Sequence, residues 1–264
     1  MKKKYAKPEE FTTLELMAVC GARAIKNGEV VFIGTGLPMI AAMLAKRTHA
    51  PNAKIVYEAG FIDSNAIDIA LSIADSRLGY RASGAIGLIE TLGLMLQGGH
   101  VDVGFVGAAQ IDEYGNINTT YIGNFEKPNV RLPGSGGGND IVSSAKRIVI
   151  IMPHEKRKLV KKLDYLTSPG FLNGPGAREK SGLRGGGPSL VVTNLCQMDF
   201  DPKTKRIRLA TVHPSVSAQQ VLENTSCDLI VPQNVPTTEP PTYEELKLLR
   251  EIDPNGIYIP RTKA

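Results

Sequence analysis

The sequence predicts an α/β fold: a mostly parallel sheet with helices on both faces and a β-rich C-terminal edge. Three observations carry this. Up to Met152, short β-branched runs alternate with amphipathic helical stretches, the rhythm of βα units whose parallel strands lie beneath helices. Glycine turns stand where strands hand over to helices. Beyond Pro153, turn signals crowd between short apolar runs, as in antiparallel pairing.

Taken in order, Thr12-Thr13-Leu14-Glu15 fits a capping box. Apolar residues at Leu16, Val19, Cys20, Ala24 and Ile25 follow at helical spacing, and Asn27-Gly28 supplies a stop. Glu29 to Ile33 reads as a strand ending on the turn Gly34-Thr35-Gly36-Leu37-Pro38, after which Ile40 to Arg47 is helical. Ala53 to Tyr57 repeats the strand, running into Glu58-Ala59-Gly60, and a helix is expected around Ala66 to Ala74. Val101 to Val106 is the next strand. Gly107 to Gly138 is rich in Gly, Asn and Pro and too long for an ordinary connector, so it is expected to carry function. Asn139 or Asp140 would cap a short helix to Ala145, and Arg147 to Met152 reads as a buried strand. The C-terminal edge has short strands at Leu190-Val191-Val192 and Ile207 to Ala210. Val216 to Asn224, a strand Leu229-Ile230-Val231 and a helix Tyr243 to Ile252 pack back on the main sheet.

Composition narrows the function classes. With 264 residues, 42% of them hydrophobic, the chain can bury a substantial core, and without a clean linker it is read as one domain spanning 1–264. No run approaches the roughly 18 apolar residues of a membrane span, and the basic start Met1-Lys2-Lys3-Lys4 has no apolar core behind it, so a cytoplasmic protein is expected. Cys20, Cys196 and Cys227 are widely spaced without CxxC, which encodes neither a disulfide framework nor a metal site. They read as small buried hydrophobes. A net charge of +5 spread along the chain suits anionic metabolites better than nucleic acid, and the absence of Trp argues against a base-stacking platform.

The candidate chemistry centres on Glu58. Taken alone, a glutamate ending a strand is more often a surface residue than a catalyst. Here Ala59 and Gly60 leave room for a thioester carbon to approach the carboxylate. Attack on a thioester gives a mixed anhydride and a thiolate; the thiolate then attacks the glutamyl carbon, and a second acid takes over the resulting enzyme thioester. The thioester energy is conserved, so neither ATP nor a metal is required. The turns holding Gly34 and Gly36, and Gly136 and Gly137, can aim backbone N–H groups at a developing oxyanion. For the first turn, a tight βα turn without a ligand stands level with an oxyanion or phosphate contact. It is half of a dinucleotide fingerprint, but Pro38 stands near the third glycine position and no acidic ribose partner follows. Gly134-Ser135-Gly136-Gly137-Gly138, with four glycines in five residues, implies close backbone approach to something, the alternative being a flexible hairpin tip. Thr35, Gln110, Asn118 and Gly138 are candidate wall residues. Asp112 and Asn116 read as turn formers, and His154 to Arg157 with Lys158, Lys161 and Lys162 as a solvated charge run.

Together, the two glycine turns, Glu58-Ala59-Gly60, Gly107-Ala108-Ala109-Gln110-Ile111-Asp112, Tyr114-Gly115-Asn116-Ile117-Asn118, His154-Glu155-Lys156-Arg157, Thr167-Ser168-Pro169-Gly170 and Gly174-Pro175-Gly176-Ala177-Arg178-Glu179 are far more specific than any one alone. On these the chain resembles the β subunits of the class I CoA-transferases, of the glutaconate type, over nearly its whole length. The resemblance implies that Glu58 is the nucleophile of a ping-pong path through a glutamyl–CoA thioester. It places an oxyanion amide at Gly136 or Gly137 and a second in the Gly34–Gly36 turn, with Ala59 and Gly60 against the substrate. It further implies coenzyme A and acyl-CoA as substrates with no permanently bound cofactor, and a separate α subunit in an α2β2 assembly. Ala59 departs from the Ser or Asn usual at that place, which removes one polar contact near the nucleophile. An acyl-CoA hydrolase or decarboxylase of the same fold, and a noncatalytic CoA-binding subunit, are the alternatives.

Overall fold

The computed structural model describes residues 4–64 and 69–261. A 3₁₀ turn at Pro8–Glu10 leads into α1, Thr13–Arg23, where Thr12 and Glu15 form the expected capping box. The helix ends at Arg23, four residues before Asn27; the turn carrying Gly28, at φ +85°, belongs instead to the approach to the first strand. β1 is Val30–Ile33, α2 Leu37–Arg47 and β2 Lys54–Tyr57, with Pro38 in the first turn of α2 where its missing N–H costs nothing.

After β2 the chain departs from the expected βα repeat. It reverses through Glu58-Ala59-Gly60 into β3, Phe61–Ile62, then a 3₁₀ turn Ser76–Gly79 and β4, Gly84–Ala85. Of the helix expected over Ala66 to Ala74, residues 66–68 lie outside the described residues and 69–74 form bends and turns. Gly60 decides the reversal. It sits at φ +98°, its N–H donates to the Tyr57 carbonyl at 2.8 Å, and a Cβ there would come within 1.8 Å of the Ile86 carbonyl oxygen.

A π-helical segment, Glu90–Gln97, precedes β5, Val103–Val106. The Gly/Asn/Pro-rich stretch then folds into two small hairpins, β6 Gln110–Ile111 with β7 Ile117–Asn118, and β8 Tyr121–Gly123 with β9 Pro128–Arg131. α3, Gly138–Ser144, starts one residue earlier than expected, with Gly137 as its N-cap rather than Asn139 or Asp140. β10 is Arg147–Ile151 and α4 Ala177–Lys180; β11 Pro188–Val192, β12 Cys196–Phe200 and β13 Ile207–Val212 follow. The chain closes with α5, Ala218–Glu223, and α6, Tyr243–Ile252, again on a capping box, Thr242 with Glu245. The strand expected at Leu229-Ile230-Val231 is reduced to a single bridge between Arg208 and Ile230.

Nine strands form one sheet in the order β13-β12-β11-β10-β5-β1-β2-β3-β4, parallel from β11 to β2 and antiparallel at both ends. The parallel core and the antiparallel β12–β13 edge are as the sequence predicts. Val31, Ile33, Val149 and Ile151 pack under α1, α2 and α6 on one face, while Phe32, Ile148 and Ile150 pack with Ile141, Val142 and Val221 on the other. Cys20, Cys196 and Cys227 are all buried, and burial pushes each thiol up to about 12. Among the described residues no helix is long and apolar enough to cross a membrane.

The strand order places the site. β1 runs through α2 to β2 on one side, whereas β5 lies on the other side of β1 and continues toward α3 on the opposite face. The sheet therefore has a topological switch point between β1 and β5, and the crevice beyond the carboxyl ends of such strands is where α/β sheets bind ligands.

Candidate functional site

Glu58 is the first residue beyond β2, on the β-turn from Tyr57 to Gly60. Val56 pairs with Ile62 beneath it, so the turn is braced by a sheet on both sides. Among the described residues its half-buried carboxylate has no hydrogen-bond or ion-pair partner. It faces a pocket of about 490 Å³ formed at the switch point by Gly34 after β1, Gly107 to Ala109 after β5, Ile117 and Thr119 from the hairpin region, and Leu132 to Ser135.

The glycine turn is anchored rather than a loose tip. Leu132 N–H donates to the Thr120 carbonyl at 3.0 Å and Gly134 N–H to that of Thr119 at 2.9 Å, while the Thr119 hydroxyl donates back to the Gly134 carbonyl at 2.8 Å. Beyond it, Asn139 Nδ2 donates to the Thr167 carbonyl at 2.7 Å. This fastening presses Gly137 against the nucleophile candidate: a Cβ on Gly137 would lie 2.8 Å from Glu58 Oε1. The N–H groups of Gly34, Gly136 and Gly137 have no acceptor among the described residues, whereas that of Gly138 is engaged by the Ser135 carbonyl at 2.9 Å. Gly104 in β5 permits the close approach of α3, since a Cβ there would come within 2.3 Å of Ile141 Cγ2.

The coenzyme A transferase model matches residues 14–224. The chain is 43% identical to the β subunit of glutaconate CoA-transferase from Acidaminococcus fermentans over 255 residues, covering 94% of this chain and 95% of the relative. The crystal structure of that transferase superposes with a TM-score of 0.90 and 40% identity, over 98% of this chain and 100% of the other. The β subunit of 3-oxoadipate CoA-transferase from Pseudomonas knackmussii is 42% identical, over 92% of this chain and 94% of its own. This chain belongs to the coenzyme A transferase family. Its activity is that of a CoA-transferase β subunit.

Of the residues singled out for this CoA-transferase chain, the structure brings together Glu58, Gly34, Gly137 and Gly138. Gly136, at φ +47°, sits in open space at the turn, and Gly36, at φ +84°, is the N-cap of α2 and lies outside the pocket wall. Thr35 lines a neighbouring apolar pocket of about 520 Å³ with Leu14, Met17, Leu37 and His154, which meets the first at Gly107. Ala59 is half-buried behind the turn, and Gly60 is held by backbone packing against Ile86.

Gln110 and Asn118 are not wall residues. Asn118 Nδ2 donates to Gln110 Oε1 and to the Tyr121 carbonyl, each at 2.8 Å, and Gln110 Nε2 donates to Asp164 at 2.8 Å. Their polar atoms are spent locking the hairpin that carries Thr119. Asp112 accepts from the Tyr114 and Asn116 amides at 2.9 and 3.0 Å, the turn-forming role its sequence context indicates.

The charge run is only partly solvated. Arg157 is on the surface, but His154 is 4% exposed and Lys158 lines the Glu58 pocket. A lone lysine in a basic run gives no sequence signal of inward orientation. Lys158 is brought to the pocket wall because its stretch pairs with β6: Ile111 N–H donates to the Lys158 carbonyl at 2.7 Å.

A Gly137→Ala change separates site geometry from folding. Gly137 has φ −75° and ψ −1°, open to any residue, so the fold should survive with its melting temperature unchanged. The new methyl would displace the Glu58 carboxylate, and turnover should fall by on the order of 10²-fold. Steady-state kinetics beside thermal unfolding checks both halves.

Acidity should act on the fold through His154. It is wedged between the hydroxyls of Thr193 at 3.1 Å and Thr225 at 2.9 Å, and burial lowers its pKa to about 4. The unfolded chain therefore takes up a proton that the native state refuses. Stability is full above about pH 6.5 and falls as the pH drops toward 4, by roughly 3 kcal/mol from this group. Buried His213, also lowered by burial, adds in the same direction. Denaturant midpoints across that window, for the natural chain and His154→Asn, measure the effect.

Proposed function

We propose that this chain is the catalytic half of an acyl-CoA:carboxylate CoA-transferase of glutaconate type, working by a ping-pong path through a glutamyl–CoA thioester on Glu58. One observation carries the reading: a carboxylate at the switch point that is unpaired among the described residues, with Gly137 pressed against it. Glu58 attacks the acyl-CoA carbonyl carbon; the C–S bond breaks and CoA leaves as thiolate, giving an acyl–glutamyl anhydride. The thiolate then attacks the glutamyl carbonyl carbon and the first acid leaves as carboxylate. An incoming carboxylate attacks the glutamyl thioester, and the released thiolate attacks the new acyl carbon, which restores Glu58.

The N–H groups of Gly137 or Gly136 and of Gly34, without an acceptor among the described residues, would receive the oxyanion of these tetrahedral steps. The second, mostly apolar pocket joined at Gly107 offers room for the pantetheine arm. No step needs a resident cofactor.

The glutaconate and 3-oxoadipate relatives are β subunits of their enzymes, which supports a separate partner subunit and an α2β2 assembly. Exposed Leu88, Ile89 and Leu94 around the π-helical segment give this chain an apolar surface suited to one, Ile89 being 84% exposed. We place the enzyme in the cytoplasm. Exchange of a labelled free carboxylate into its acyl-CoA in the assembled enzyme tests the path. Exchange at a rate matching turnover is expected; hydrolysis with no exchange would make the protein an acyl-CoA hydrolase.

A further inference from the structure

Glu58 and Lys158 are the only ionisable side chains lining the site pocket among the described residues; the rest of the wall is apolar, glycine, or the hydroxyls of Thr119, Ser135 and Ser168. Lys158 is not a mobile surface lysine. Its side chain is 22% exposed, its carbonyl accepts from Ile111 N–H at 2.7 Å and its N–H donates to the Glu155 carbonyl at 2.8 Å. Its ammonium pairs with Glu155 at 3.2 Å, yet that carboxylate is shared with Arg157 at 2.6 Å. Arg157 itself is on the surface, so among the described residues Lys158 is the one cation in the pocket wall, and its neutralisation by Glu155 is shared.

We propose that Lys158 selects dicarboxylic substrates by binding the carboxylate at the far end of the acyl chain. This rests on the reading of Glu58 as nucleophile. Glu58 must be ionised to attack, so an acyl group carrying a second negative charge enters against the Coulomb repulsion of that carboxylate in a mostly apolar cavity. A fixed ammonium in the same wall offsets the repulsion and orients the chain, leaving the reacting carboxylate or thioester toward Glu58. A monocarboxylate of equal length gains nothing from Lys158. It would leave the ammonium half-satisfied.

The test measures equilibrium binding of glutarate and pentanoate to the assembled enzyme by calorimetry, for the natural chain, Lys158→Met and Lys158→Arg, with transfer kinetics in parallel. The expected result is that the natural enzyme binds glutarate at least about tenfold more tightly than pentanoate, that Lys158→Met erases the difference and that Lys158→Arg restores most of it. In kinetics with acetyl-CoA as donor, whose acyl group has no second carboxylate, the KM for the dicarboxylate should rise while the KM for the CoA ester stays put. Equal binding of the two acids by the natural enzyme, or an undiminished preference in Lys158→Met, would overturn the proposal. So would a rise confined to the KM of the CoA ester, which would make Lys158 a phosphate contact. Binding needs no turnover, so loss of transfer with the binding pattern intact would count against the nucleophile reading alone.

Discussion

Replacing Glu58 by Gln should abolish transfer, lowering kcat by on the order of 10⁴-fold or more while leaving the fold and the KM for the CoA ester nearly unchanged. Glutamine keeps the shape of the side chain, which is half-buried and makes no hydrogen bond or ion pair among the described residues, so no structural contact is lost. It cannot form the anhydride on which both half-reactions depend. Glu58→Asp should also fail, by about 10²-fold, because one methylene fewer withdraws the carboxylate from the position opposite Gly137. Near-natural turnover of either variant would sink the mechanism.

The second large effect falls on stability, at Arg178. This side chain is 3% exposed and has no carboxylate partner among the described residues. Its guanidinium donates instead to five carbonyls: Gly185 at 3.0 Å, Pro169 and Gly170 at 2.7 Å, and Val142 and Ser143 at 3.1 and 3.3 Å. Burial lowers its pKa from the usual arginine value, and the carbonyl dipoles, two from the end of α3, keep the charge tolerable. Arg178→Met removes every one of these donors at once. Since each orphaned buried carbonyl costs about 1–3 kcal/mol, the loss should be at least about 3 kcal/mol, a fall in melting temperature of roughly 5–15 °C. Lys, with three donors on a point charge, should rescue only part of it. Because Arg178 ties the last turn of α3 to the Pro169–Gly170 loop, residual activity should fall as well, through the glycine turn at the other end of the helix. Thermal unfolding of the three proteins decides this.

Much of the architecture is legible in the sequence because local chemistry and tertiary packing agree. The capping boxes at Thr12 and Thr242 stand where helices start, and Val31, Ile33, Val149 and Ile151 alternate with residues of the opposite face as their strands require. Glu58 stands out because a carboxylate, a small residue and a glycine follow an apolar strand, and the same glycine makes the tight reversal that presents it. Of the helix expected over Ala66 to Ala74, the described part, 69–74, has helical apolar spacing but runs as bends and turns in the connection between β3 and β4. Leu229 to Val231 has strand composition but meets only Arg208 at the sheet edge, too little for a ladder. Gln110 and Asn118 look like ligand contacts by residue type and are bonded to each other, which only the hairpin register reveals. Lys158 is hidden for the converse reason: its place in the pocket wall comes from a bridge between Leu159 and Ile111, remote in sequence.

The proposed path requires CoA to become covalently attached to Glu58. The direct measurement is intact mass of this subunit, purified with its partner and briefly incubated with acyl-CoA esters of short dicarboxylic and monocarboxylic acids, followed by peptide mapping after mild borohydride reduction. A CoA adduct is expected before reduction, and conversion of Glu58 alone to the reduced alcohol after it. Turnover with an unmodified Glu58, or an adduct on any other residue, would contradict it.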